Sequence, residues 1–380
     1  MCTTETLLGT RSAIHAFADR RAALALPCAL IALGWAVVLA AALTHRAYLL
    51  EHHYWLARPG IPVWAPLAVF VTTWQVMLLA MMLPASMPAF AAIFAAGPRR
   101  PAAAQLVFLL GYAVPWAALG LVAYLGDAGL LALSTRWGWL AAHIWVIGLA
   151  ALLIAALYQL TPAKRHTLPA CRTLHVAARE MGDVWREGRR HGAACVGAGW
   201  ALMLIMFGFG MTNLTAMLAL TAVMVAEQAT ARPDQARALI GAALIALALL
   251  WSVHAATSAS AAPTATGGAF ARTQTLAGGA TVMLRVTPAH LGVNTFAVTV
   301  RDSAGNPVHA ASATLTLDML DMDMGAQQIT LAPSPGSQGS GGSYTGAGAL
   351  VMPGAWQATV RLEITPGGQT VQAVFRLTAS

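Results

Sequence analysis

The sequence predicts a polytopic α-helical membrane bundle of about seven transmembrane helices, followed by an all-β, immunoglobulin-like sandwich. Composition is the first observation: 58% of the 380 residues are hydrophobic and 9% charged, where a soluble domain carries about a quarter charged. Charge distribution is the second. Residues 1–260 hold 17 Lys and Arg against nine Asp and Glu, and residues 261–380 hold five of each. The excess thus belongs to the apolar part, where loop arginines orient helices in a bilayer, and nucleic acid is not its reason. The third is an abrupt change after Trp251, from apolar runs to small residues and then to short alternating segments.

A spanning helix needs about 20 apolar residues, because its backbone must satisfy its own hydrogen bonds across the hydrocarbon core. Such runs lie near 22–43, 63–96, 104–126, 139–160 and 238–256. The first has two arginines beside it and no small-residue cleavage site after it, so it is expected to stay as an uncleaved span rather than to leave as a signal peptide. A further apolar block, 193–228, would reach roughly 54 Å as one helix, too long for a single crossing. It is expected to fold back at GFGMTN, residues 208–213, where two glycines and an asparagine accept backbone angles that helices avoid. With seven crossings, two of them short, Arg11, Arg20, Arg21, Arg99, Arg100, the arginines of 165–190 and Arg232 all fall on one side. The positive-inside rule makes that side cytoplasmic, with the C-terminal domain outside; six crossings would reverse that.

The expected boundaries are a helical domain at 1–257, a flexible linker at 258–277 and a sandwich at 278–380. Seven segments from TVMLRVT to QTVQAVFRLT alternate apolar with polar residues and are separated by turns such as SAGNP and TPGG. All four cysteines precede residue 200, so no disulfide framework holds the sandwich.

The chemistry-bearing residues are mostly sulfur. Trp74, Met77 and Met81 share one helix face, and Pro84 frees a carbonyl and bends the helix there. Packing alone explains methionines in irregular gaps. His191 and Cys195 are one helical turn apart, a spacing that lets imidazole and thiolate reach one metal ion, and Met203 and Met206 continue that stripe. Close helix packing by the glycines around them is the competing explanation. Glu227 is the carboxylate of the folded-back block, a functional candidate that could equally reach the water interface. Cys171, with His166 and His175, lies in the loop before that block. The outer cluster of His45, Glu51, His52 and His53 is expected to be solvated rather than ligating. In LDMLDMDMG, Met319, Met322 and Met324 alternate with aspartates, and an exposed thioether group of this kind suits Cu(I). Met352 is a further ligand or plain core, and Trp356 is expected between the sheets.

WQVMLLAMMLP (74–84), Gly111 and Tyr112, YQLTPAK (158–164), Cys171 and Arg172, HGAACVGAGWALM (191–203), GMTN and Glu227 together resemble a bacterial family of predicted metal-binding integral membrane proteins, a domain of unknown function, over roughly residues 60–230. That family tends to carry a CLxxC-like loop and a cysteine pair before the tryptophan. Here Thr167, Ala198 and Gly199 stand at those places, which leaves His191, Cys195, Cys171 and methionines as donors. Residues 278–378, from TPAHLGVNTFAVTVRD onward, resemble the YtkA-like domain, a small β-sandwich similar to periplasmic copper-handling proteins. The resemblance implies a copper role for Met319, Met322 and Met324, with Met352 and His290 as further candidates.

Together these readings favour a bacterial inner-membrane protein with a cytoplasmic N-terminus and a periplasmic sandwich. That sandwich captures or delivers Cu(I) to or from a Met, Cys and His site among the helices, and another membrane or periplasmic metalloprotein is the partner. A metal-dependent membrane oxidoreductase and an assembly factor are the alternatives. No three-histidine site, haem motif or nucleotide loop is present to specify a reaction.

Overall fold

The computed structural model describes residues 4–379 except 45, 57–59, 63, 97–99, 138, 141, 142, 144, 174–179, 212, 260–268, 277, 278, 321–325, 335–341 and 365–368. The helical part comprises α1 (Thr4–Leu43), α2 (His52–Leu56), α3 (Trp64–Met77), α4 (Met87–Ala95), α5 (Pro101–Arg136), α6 (Trp145–Leu160), α7 (Pro162–Arg172), α8 (Met181–Phe209), α9 (Leu214–Ala229) and α10 (Pro233–Ala259). Among the described residues, five helices are long and apolar enough to cross a membrane, or six if the pair α6–α7, bent by 76°, counts as one. The outward faces of these helices expose Leu43, Val122, Leu249 and Leu250, an apolar surface of the kind lipid covers.

Seven crossings were expected. Five or six helices among the described residues have the length and composition of a span, and the expected seventh, α9, is apolar but shorter. Of the two short crossings expected from the 193–228 block, the first belongs to the 29-residue α8, and the second, α9, has 16 residues, about 24 Å at 1.5 Å per residue. The fold-back comes where it was expected. Gly210 ends α8 at φ +89°, and the Asn213 side chain accepts the Ala216 N–H at 2.9 Å to cap α9.

The bend at Pro84 is distributed over two irregular turns, a π-turn at Leu78–Met82 and a 3₁₀ turn at Pro84–Ser86. Proline has no N–H for the Ala80 carbonyl four residues back. That carbonyl accepts the Trp35 indole N–H instead, at 3.1 Å, which ties α1 to the kink. α8 threads the centre against α5 with glycine at the contact: a Cβ on Gly188 would stand 2.4 Å from the Phe108 carbonyl oxygen, and one on Gly192 2.5 Å from that of Tyr112. The absence of side chains there sets how close the two backbones come.

The C-terminal part is two antiparallel sheets around one core. One sheet runs β1 (Phe270–Thr275), β2 (Thr281–Thr287), β3 (Gly292–Arg301), β7 (Ser343–Leu350), β6 (Ala332–Pro333). The other runs β5 (Gln327–Thr330), β4 (Ala310–Met319), β8 (Gly354–Ile364), β9 (Gln369–Ala379). Leu284, Phe296 and Val298 of the first sheet meet Leu315, Val360 and Leu377 of the second, all fully buried. The seven expected strands are present, with two additions. β6 has two residues, too few to alternate. β1 corrects the linker: Phe270–Thr275 pairs with β2 as an edge strand and buries Phe270.

Candidate metal centre

At one end of the bundle, α7, α8 and α9 converge on three buried donors. Cys171 comes from the last turn of α7, and His191 and Cys195 from successive turns of α8. One ligand atom from each lies within 4.8 Å of the others. The His191 Nε2 stands 3.6 Å from the Cys195 sulfur, and Cys171 and Cys195 are joined to each other as a disulfide. This bond was not anticipated from the sequence. Among the described residues His191 Nδ1 is buried without a hydrogen-bond partner. The Gln228 side-chain amide of α9 donates to the Cys171 sulfur at 3.1 Å. A cavity of about 240 Å³ opens onto Cys171 and His191, walled on the other side by Ser86, Pro88 and Ala92 next to the kink.

A buried ion pair fixes the three helices around this point. Lys164 of α7 donates to a Glu227 carboxylate oxygen of α9 at 2.8 Å and to the Ala198 carbonyl of α8 at 2.5 Å. Lys164 is 1% exposed and Glu227 3%, so the sequence alternative of a water-facing Glu227 does not hold. The Arg172 guanidinium also donates to the Glu227 backbone carbonyl. Cys171 therefore hangs from a helix clamped at both ends to its neighbours, and faces Cys195 for that reason.

The methionines of the sequence pattern are brought into the same buried cluster as the two cysteines. Met77, Met81 and Met203 are fully buried there, together with Met82, Met206, Met217 and Met224. Gly199, one turn beyond Cys195, makes room for one of them: a Cβ there would lie 3.0 Å from the Met82 methyl group. From Cys195 to Met206 α8 rises about 16 Å, and Trp74 closes the cluster by donating its indole N–H to the Trp116 carbonyl at 2.8 Å.

The opposite end of the bundle corrects the reading of the outer histidines. Glu51, His52 and His53 are 3%, 1% and 5% exposed, not solvated. His52 Nε2 lies 2.7 Å and His53 Nε2 2.8 Å from one oxygen of Asp127, on α5. Burial, with His53 alongside, pulls His52 down to about 4, against the pull of Asp127. The missed partner, Asp127, had a legible signal, since a lone carboxylate in LVAYLGDAGLL is costly unless it is paired.

The sandwich candidates divide. Met319 is buried opposite Trp356 in the β4–β8 register, 8% exposed, and so is not part of an exposed thioether group. Met322 and Met324 lie outside the described residues. Met352 is core, with its carbonyl accepting the Trp356 indole N–H at 3.0 Å, and His290 is exposed. Gln228, a contact of the Cys171 sulfur, carries no signal in the sequence, because no spacing links it to Cys171. His166, beside Cys171 in sequence, is exposed, and His45 and His175 lie outside the described residues.

Among curated proteins none matches the chain. Residues 71–251 match a family model described as PpoB2, a copper chaperone, and residues 276–361 match the YtkA-like family model. The expected fusion is the one found, with the helical match reaching into α10. The chain therefore joins a segment matching the copper chaperone family PpoB2 to a C-terminal segment matching the YtkA-like family in a single polypeptide.

Proposed function

We propose that this protein is a membrane copper carrier that holds Cu(I) between Cys171, Cys195 and His191, with the reduced thiols as the binding form. The observation that carries this reading is the convergence of those three buried donors from two helices within 4.8 Å. Metal–sulfur and metal–nitrogen bonds of about 2.3 and 2.0 Å at trigonal angles put sulfur and nitrogen about 3.7 Å apart. The His191–Cys195 separation of 3.6 Å fits that edge. Thiolate and imidazole suit Cu(I), and all three residues are buried. The cavity beside Ser86 supplies a way in, and the buried methionines, Met77, Met81 and Met203 among them, offer thioethers along α8 that need no deprotonation to take Cu(I).

The sandwich is periplasmic in this reading, captures or releases copper through Met322 and Met324, and works with another metalloprotein. Its tether keeps it at an effective concentration that reaches the millimolar range, so modest affinities suffice for transfer. The disulfide favours a second reading, in which the cysteine pair cycles between dithiol and disulfide as part of a membrane oxidoreductase.

One comparison separates the two. The full chain in detergent, reduced and kept without oxygen, is expected to retain one Cu(I) equivalent against a competing chelator, and oxidation by diamide is expected to release it. Copper retained equally by the oxidised protein contradicts the dithiol centre. Turnover of a thiol or quinone substrate by the copper-free protein, lost on Cys171→Ser, establishes the second reading in its place.

A further inference from the structure

We infer that a second metal site, for a divalent first-row transition ion, lies at the far end of α8 and is formed by His52, His53, Asp127 and Glu51. It uses no residue of the cysteine centre, so it stands or falls independently of the copper reading above.

Four observations converge on it. Three donor atoms from two separate elements already meet, with His52 Nε2 and His53 Nε2 at 2.7 and 2.8 Å from the same Asp127 oxygen. A ligand atom of Glu51 lies within 4.8 Å of both imidazoles. The two rings are packed 4.0 Å apart, and the residues are almost wholly shielded from solvent. Finally, the hydrogen bonding is incomplete: among the described residues, His52 Nδ1 is buried without a partner, and neither ring nitrogen of His53 makes a well-directed hydrogen bond. Burying polar nitrogens in that way costs free energy that a merely structural tie would not need to spend, because one imidazole on Asp127 would hold the loop to α5. A cation held between the two imidazoles and a carboxylate gives those nitrogens the partner they lack.

The donor set selects the ion. Two imidazoles and two carboxylates suit Cu²⁺ or Zn²⁺, in contrast to the sulfur-rich centre at the other end of α8. Two small cavities border the site. Met206 and Met211 border the same small cavity as His52, His53 and Asp127. On its other side, Glu51 and Tyr54 share a cleft with Gln327, Val351 and Trp356 of the sandwich.

The test uses the full chain in detergent carrying Cys171→Ser and Cys195→Ser, titrated with Cu²⁺ and read by electron paramagnetic resonance. One bound equivalent with splitting from two imidazole nitrogens is expected. His52→Gln with His53→Gln should weaken that binding at least tenfold, and Asp127→Asn, which keeps the shape of the side chain, should weaken it as well. A parent spectrum without nitrogen splitting overturns the site whether or not the variants fold. So does a His52→Gln/His53→Gln protein that unfolds at lower temperature yet binds Cu²⁺ unchanged, since that result makes the cluster a structural tie only.

Discussion

Cys195→Ser is expected to weaken Cu(I) binding by the reduced chain by about 100-fold or more, beyond the 10–100-fold that changes to outer-shell partners of a metal cost. The serine is nearly the same size, so the α5–α8 and α7–α8 packing around it stays intact, and the loss isolates the donor. Cys171→Ser should behave alike, because both sulfurs occupy one site. His191→Ala should cost less, about tenfold. Its imidazole is the third donor, and the empty volume adjoins a cavity that water can enter. Competition against a chromophoric Cu(I) chelator measures all three. Affinity unchanged in Cys195→Ser would remove the centre from the account.

Glu227→Ala is expected to destabilise the helical part by about 3–5 kcal/mol, because it strands the Lys164 ammonium among buried groups. Lys164 is 1% exposed and its remaining partner is the Ala198 carbonyl, so solvent does not take over the charge. A double change, Lys164→Met with Glu227→Leu, should recover most of that loss, since well-packed apolar residues often replace a buried ion pair at little cost. Copper affinity should still fall in the double variant. The pair also sets where α7 places Cys171 relative to α8, and an apolar contact does not reproduce that directionality. Denaturation in detergent, read beside chelator competition, checks both halves of this expectation. Glu227→Ala unfolding within about 0.5 kcal/mol of the parent would contradict it.

Much of the architecture was legible because it follows from local rules. The turn at Gly210 follows from 36 apolar residues being too long for one crossing, and glycine with asparagine marks where the chain can reverse. The strands of the sandwich follow from period-two alternation. β1 escaped because FARTQT directly follows a small-residue stretch that reads as linker, and an edge strand buries only one of its residues fully. His191 and Cys195 were readable as a pair because their spacing lies within one helix. Cys171 could be brought to them only by the tertiary clamp of Lys164 and Glu227, which no sequence period encodes. The outer cluster failed for the same reason. Glu51, His52 and His53 are consecutive and look solvated, until Asp127, 75 residues away from His52, draws them under cover.

The most direct measurement is X-ray absorption at the copper edge on the intact chain, reduced, loaded with one equivalent of Cu(I) and washed with chelator. The account predicts a nearest shell of two sulfurs and one nitrogen, with the sulfur contribution lost in Cys171→Ser/Cys195→Ser. Copper washed out completely from a folded protein, or a nearest shell of oxygen and nitrogen alone, would contradict it.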